Sequence, residues 1–182
     1  AFKDCNSLQQ IDIPKGTSVV SSYYDGFTIA GIYGPFQGCT NLSNIILEDG
    51  MKKIPANLFK KCSGLENIDI PDSVEEIGNN AFLSCTSLKE INIPNSVTSM
   101  GNYVFSGCSS LQKVHLPDIK INVQEGMFEN CSSLSEINLP DTLTAIQYKA
   151  FINCTSLAEL VLPKNVTTIE NDAFSGCTGL TK

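Results

Sequence analysis

The chain has 182 residues, 42% of them hydrophobic and 17% charged, with a formal net charge of -7 at pH 7. That apolar share supplies a core and argues against disorder. The negative balance excludes a binder of nucleic acid or of an anionic membrane surface, because both are held by basic groups that displace counterions.

Cysteines stand at positions 5, 39, 62, 85, 108, 131, 154 and 177, so every interval after the first is 23 residues. Phenylalanine precedes each cysteine by three positions, from Phe2 to Phe174, and leucine follows each by three, from Leu8 to Leu180. Proline follows by nine at Pro14, Pro71, Pro94, Pro117, Pro140 and Pro163, with Glu48 as the exception. A short fixed period predicts a solenoid, in which each unit is completed by its neighbours. The expectation is one domain over residues 1–182, of about eight coils. Because the chain begins and ends at nearly the same phase of the repeat, it is expected to be a piece of a longer protein.

In chain order, Gln9 to Ile13 alternates, with Ile11 and Ile13 on one face and Gln10 and Asp12 on the other, which predicts the first strand. The first interval is 34 residues, and the extra length falls in an insertion at 16–36 that carries Tyr23, Tyr24, Phe27 and Tyr33. Insertions in solenoids form loops on one face, often the binding face, while a tolerated bulge is the plainer alternative, since loop length costs little free energy. This insertion contains Asp25 and many small polar residues, so it is not a membrane span. The coil of Cys39 gathers Lys52, Lys53, Lys60 and Lys61, read as a solvated turn.

The coils of Cys62, Cys85, Cys131 and Cys154 read as regular. Each is expected to form a strand over the L-x-x-I-x-I segment, ended by a proline that cannot donate to a ladder. A shorter extended piece (Val74 to Ile77 in the Cys62 coil) and a tight turn into the phenylalanine follow. In the coil of Cys108, alternation of Ile119, Ile121 and Val123 around Lys120 suggests a local shift of pairing phase. The last coil lacks its strand. The fold class is thus a solenoid with a parallel β-sheet on one face and short extended, turn or 3-10 segments on the other, mostly β and coil.

The pattern AFxxCxSLxxIxIPxxVxxI resembles the BspA-like class of leucine-rich repeat over the whole chain except the insertion. The resemblance implies a protein-binding or adhesion solenoid of surface or secreted proteins, with no shared catalytic residues. Glu48 and the Cys108 coil depart from the pattern locally.

The cysteines form a file of parallel side chains, whereas a disulfide needs opposed Cβ vectors. They are read as buried thiols in the core. A zinc site is disfavoured because there is no C-x-x-C pair and a linear file cannot surround a tetrahedral ion. His115 is the single histidine, on the outward side of a strand, with no nucleophile that repeat geometry places beside it. No catalytic residue, cofactor or metal is expected. Four glycosylation sequons begin at Asn41, Asn130, Asn153 and Asn165, read as chance in so Asn-, Ser- and Thr-rich a chain.

The outward strand positions form columns. Asp12, Glu66, Asp69, Glu90, Glu136 and Glu159 face only Lys89 and Lys113, interleaved with Asn92, Asn138 and His115. This acidic sheet is one candidate binding surface, for a basic protein partner steered by charge; ordinary solubility of an exposed strand face is the alternative. The aromatic insertion is the other candidate surface. The reading is a non-enzymatic interaction or adhesion module of a surface or secreted protein, its partner a protein such as a host or extracellular-matrix component. Alternatives are a structural stalk and a carbohydrate-binding module built on the insertion tyrosines, glycan being the less favoured partner.

Overall fold

The computed structural model describes residues 2–16, 34–119 and 121–181. Its strands, in chain order, are β1 (Gln10–Ile13), β2 (Asn44–Leu47), β3 (Lys53–Ile54), β4 (Glu76–Ile77), β5 (Glu90–Asn92), β6 (Ser99–Met100), β7 (Lys113–His115), β8 (Glu136–Asn138), β9 (Ala145–Ile146) and β10 (Thr168–Ile169). All pairing is parallel, as a solenoid requires, and no helix is present among the described residues. The L-x-x-I-x-I segments supply a front ladder, β1-β2 and β5-β7-β8, and the short pieces after the prolines supply a back ladder, β3-β4-β6 and β9-β10. Every pair joins equivalent repeat positions, for example Ile91 with Val114 and Val114 with Ile137.

The turns around the phenylalanines form a third ladder. Phe59 N–H donates to Ala81 O at 2.9 Å, Phe82 to Val104 at 3.0 Å, Phe105 to Met127 at 3.0 Å, Phe128 to Ala150 at 2.8 Å and Phe151 to Ala173 at 2.8 Å. The rings stack along the solenoid from Phe2 to Phe174 with centroids 5.3–6.2 Å apart, the offset-stacking range for aromatic pairs. Tight winding here needs left-handed backbone on both sides of each ring. It falls two residues before the ring at Asn57, Asn80, Tyr103, Gly126, Lys149 and Asp172, and two after it at Gly38, Lys61, Ser84, Gly107, Asn130, Asn153 and Gly176. Asparagine and glycine, the residues that tolerate this conformation best, fill more than half of those places. Gly78 and Gly101 serve a different need: a Cβ there would lie 2.5 Å from a backbone nitrogen of the preceding coil, Ala56 or Asn79.

The cysteines are unpaired, and Cys39 through Cys154 are buried. Their thiols are more than apolar filler. From Cys62 on, each Sγ donates to the carbonyl of the phenylalanine 26 positions earlier: Cys62 to Phe36 at 3.1 Å, Cys85 to Phe59 at 3.2 Å, Cys108 to Phe82 at 3.2 Å, Cys131 to Phe105 at 3.1 Å and Cys154 to Phe128 at 3.1 Å; Cys39 reaches Phe2 across the longer first interval at 2.9 Å. The repeat thus spends its cysteine on a carbonyl that the winding of the turn leaves facing the core. A thiol reagent applied to the native chain under reducing-agent-free conditions is expected to modify exposed Cys5 rapidly and half-buried Cys177 slowly. The six buried thiols should react only after denaturant is added, because burial holds them protonated and inaccessible. Prompt native modification of all eight would refute the closed core.

Two expectations need correction. The coils of Cys62 and Cys154 do not form front strands: Asn67–Ile70 and Glu159–Leu162 are unpaired. Pairing alternates between front and back along the stack, which the inward and outward pattern does not control. The front is open where the back ladder is paired, across β3-β4-β6 and β9-β10. It is closed, β5-β7-β8, where the back is reduced to the single bridge Val123–Ile146. A stack that draws together on one side parts on the other. The Cys108 coil keeps its register: Val123 meets Ile146, the ordinary column for that strand, and Ile121 is buried beside it. Glu48, the proline exception, retains an N–H that bonds Ile13 O at 2.9 Å, and its carboxylate accepts from Lys15 N at 2.7 Å.

Candidate functional site

The front face carries its side chains as the alternation demands. Glu66, Asp69, Glu90, Asn92, Glu136, Asn138 and Glu159 are exposed, while Lys113 and His115 are half-buried among their neighbours on β5, β7 and β8. Tyr23, Tyr24, Phe27 and Tyr33 lie outside the described residues. The two candidate surfaces therefore stand differently: the strand face can be built atom by atom, and the insertion is left as the sequence presents it.

Parallel, in-register stacking places residues 23 apart side by side, and this rewrites the electrostatics of the face. Lys89 Nζ lies 2.7 Å from Glu66 Oε2, and Lys113 Nζ 2.8 Å from Glu136 Oε1. The hydrogen bond and charge of Lys89 hold the Glu66 carboxyl below the usual carboxylate range, and the hydrogen bond from Lys113 to Glu136 raises the lysine above its own. Glu90 is registered opposite Lys113, but the ammonium turns to Glu136 instead. Glu90 is left with His115, whose Nε2 stands 3.4 Å from Glu90 Oε1 and offers a charge only when protonated. Asp69 has no ion-pair partner among the described residues. Of the acids on this face, Glu66 and Glu136 are thus taken up by lysines, while Asp12, Asp69 and Glu90 make no ion pair with a lysine among the described residues. Lys52 and Lys53, read as a solvated turn, are exposed but pair with Glu75 at 2.6 Å and Glu76 at 2.7 Å across the next junction.

Opening of the front ladder gives this face relief. One groove of about 240 Å³ runs between β2 and Asn67–Pro71, and a second of about 320 Å³ between Asn67–Ile70 and the Glu90 and Asn92 side of β5. A third of about 350 Å³ separates β8 from the unpaired stretch that holds Glu159 and Val161. On the rims sit two exposed apolar side chains, Ile46 at 49% and Val161 at 86% exposure.

Sequence reasoning missed a polar cluster at the turn edge. Tyr103, in left-handed backbone, lays its ring against Gly126, where a side chain would collide with it, and its hydroxyl donates to Glu125 Oε1 at 2.5 Å. Asn102 Nδ2 reaches the other oxygen of Glu125 at 3.3 Å. Hydrogen bonding to this carboxylate pushes the Tyr103 phenol up to about 12. The available signal was the pairing of Tyr103 with Gly126 in a column that otherwise holds Gly34, Asn57, Asn80, Lys149 and Asp172. No group of three or more His, Cys, Asp and Glu among the described residues could hold a metal ion, and no helix among them is long and apolar enough to cross a membrane.

The BspA-type leucine-rich repeat region, as a family model, matches six copies over residues 33–122 and 52–181. The chain belongs to the BspA-type leucine-rich repeat family. Among solved structures, this BspA-type chain is similar to the T. pallidum leucine-rich repeat protein TpLRR, at 33% identity and a TM-score of 0.70, over 86% of this chain and 68% of that one. A leucine-rich repeat protein from Eubacterium ventriosum matches at 26% identity and a TM-score of 0.62, over 97% of this chain and 60% of that one. One from Bacteroides ovatus shares the fold at 23% identity and a TM-score of 0.61, over 99% of this chain and 56% of that one. The chain therefore spans from 56% to 68% of the length of these three proteins. No curated relative matches it.

Proposed function

We propose that the chain is a non-catalytic protein-interaction or adhesion module of a surface or secreted protein, working as one solenoid of about eight coils through its front face. The observation that carries this reading is the division of labour within the repeat. The core absorbs the phenylalanines, leucines and cysteines in continuous files, while the front presents polar side chains at the repeat spacing, on paired strands at β1-β2 and β5-β7-β8. Such a face is pre-ordered, so little conformational freedom is lost when a partner docks. Leucine-rich repeats generally mediate protein binding, which supports the same reading.

A stalk that holds another domain away from a surface is the second reading. It is favoured by the internal pairing of Glu66 with Lys89 and Glu136 with Lys113, which spends on the solenoid itself charge that a partner could have used. Biosensor binding of the chain to a panel of extracellular-matrix proteins and glycans, at low and at moderate salt, separates the two. The interaction module is expected to bind at least one protein of the panel, more weakly as salt rises. Binding that is lost when Asp69 and Glu90 are reversed to lysine would locate the site on the front face. Binding confined to glycans would move it to the tyrosine-bearing insertion, and silence across the panel would favour the stalk.

A further inference from the structure

We propose that the opened front of the Cys62 coil is a peptide-accepting groove. Its occupant is an extended segment of a protein partner that lays its main chain along Asn67–Ile70 and directs a lysine or arginine at Asp69 and Glu90. The inference rests on the reading of the front face as an interaction surface and names where on that face a partner sits and what chemistry it brings.

Three observations converge on it. First, Asn67, Ile68, Asp69 and Ile70 make no backbone–backbone hydrogen bond, although ordered strands β2 and β5 stand on either side; the one bond across the front of that second junction is Lys89 N to Glu66 O at 3.1 Å. Four consecutive residues with unused amides and carbonyls, bordered by the unpaired edge of β2, offer what an added strand takes up. Second, the space is there: the grooves of about 240 and 320 Å³ flank Asn67–Ile70 on its two sides and share those residues. Third, the charge is complementary to a cation. Asp69 lines both grooves and Glu90 one of them, and neither forms an ion pair with a lysine among the described residues, whereas Glu66 and Glu136 are held by Lys89 and Lys113. Asn44, Asn67 and Asn92 surround them with amides able to bond either a peptide group or a guanidinium. The groove at Glu159 opens in the same way, but its β8 wall carries Glu136, which Lys113 already occupies.

The test is a titration of the isotope-labelled chain, at low salt, with a short peptide alternating valine and lysine and with its valine and glutamate counterpart, read from backbone amide shifts. Saturable shifts are expected at Asn44–Leu47 and Asn67–Ile70 with the lysine peptide and not with the glutamate peptide. Asp69→Lys with Glu90→Lys should weaken binding by at least about tenfold, while Glu136→Lys should leave it within about twofold. Shifts confined to residues around Lys113 and Glu136, or no saturable shift, would overturn the groove. The wider reading fails separately, if a protein from the binding panel keeps its affinity for a chain reversed at every acid of the front face.

Discussion

Phe82→Ala is expected to destabilise the chain by about 3–5 kcal/mol and to strip hydrogen-exchange protection from several neighbouring coils together. The ring is fully buried between Phe59 and Phe105, with centroids 5.6 Å from each, so truncation removes two stacking contacts and leaves a cavity that no side chain of the same coil can fill. Protection should fail cooperatively because the Phe82 turn hydrogen-bonds in two directions. On the following side Phe82 N donates to Val104 O at 3.0 Å and its carbonyl accepts the Cys108 thiol at 3.2 Å, and on the preceding side Ala81 O accepts from Phe59 N at 2.9 Å. In a quasi-one-dimensional stack, stability resides largely in such junctions and not within a coil. Amides of the Cys62, Cys85 and Cys108 coils should therefore exchange faster as a group. Loss limited to the mutated coil would refute this account of the energetics. Val161→Ala, at a side chain 86% exposed, should stay within about 0.5 kcal/mol of the parent and report that the effect comes from the stack.

Raising the pH above 9 should unfold the chain with unusual steepness. Burial pushes the Cys62 and Cys108 thiols from the ordinary value of 9.0 up to about 12, and desolvation raises Cys39, Cys85, Cys131 and Cys154 as well. The sign follows from proton linkage. In the unfolded chain a thiol loses its proton near pH 9, whereas the folded chain retains it, so the stabilisation is complete below pH 9 and drains away as pH climbs towards about 12. Each thiol contributes a slope of about 1.4 kcal/mol per pH unit in that window. Several titrating together should lower the denaturant midpoint sharply between about pH 9 and about pH 12 in the presence of a reductant. Cys108→Ala removes one titrating group and should make the decline shallower, whatever it does to stability at neutral pH. A midpoint that stays level across that range would show the thiols to be exposed to solvent in the folded chain.

Neither property requires a binding partner, and both follow from the same economy. The cysteine column is at once a core element and a hydrogen-bond donor across each junction, which a valine or alanine in its place could not be. A serine could donate, but would bring a more strongly hydrated hydroxyl into an apolar file.

The 23-residue period by itself determined the repeat unit, the family, the inward files of Phe, Cys and Leu and the outward identity of residues such as Glu66, Asp69 and His115. It could do so because a side chain's face depends on local alternation, and alternation is written in consecutive residues. The left-handed turns on both sides of each phenylalanine were also legible, as columns rich in Asn and Gly, though only once the need for tight winding is known. What the tertiary structure alone decided is the distance between equivalent points on successive coils. That distance opens the front at Asn67–Ile70 and closes it at Glu90–Asn92, although the two stretches, NIDI and EINI, are nearly the same sequence. It also sends Lys113 to Glu136 and leaves Glu90 to His115, a choice between two carboxylates that flank the lysine in register. Both outcomes depend on how the front, back and turn ladders share the curvature of the stack, a balance summed over many coils and written in no single one.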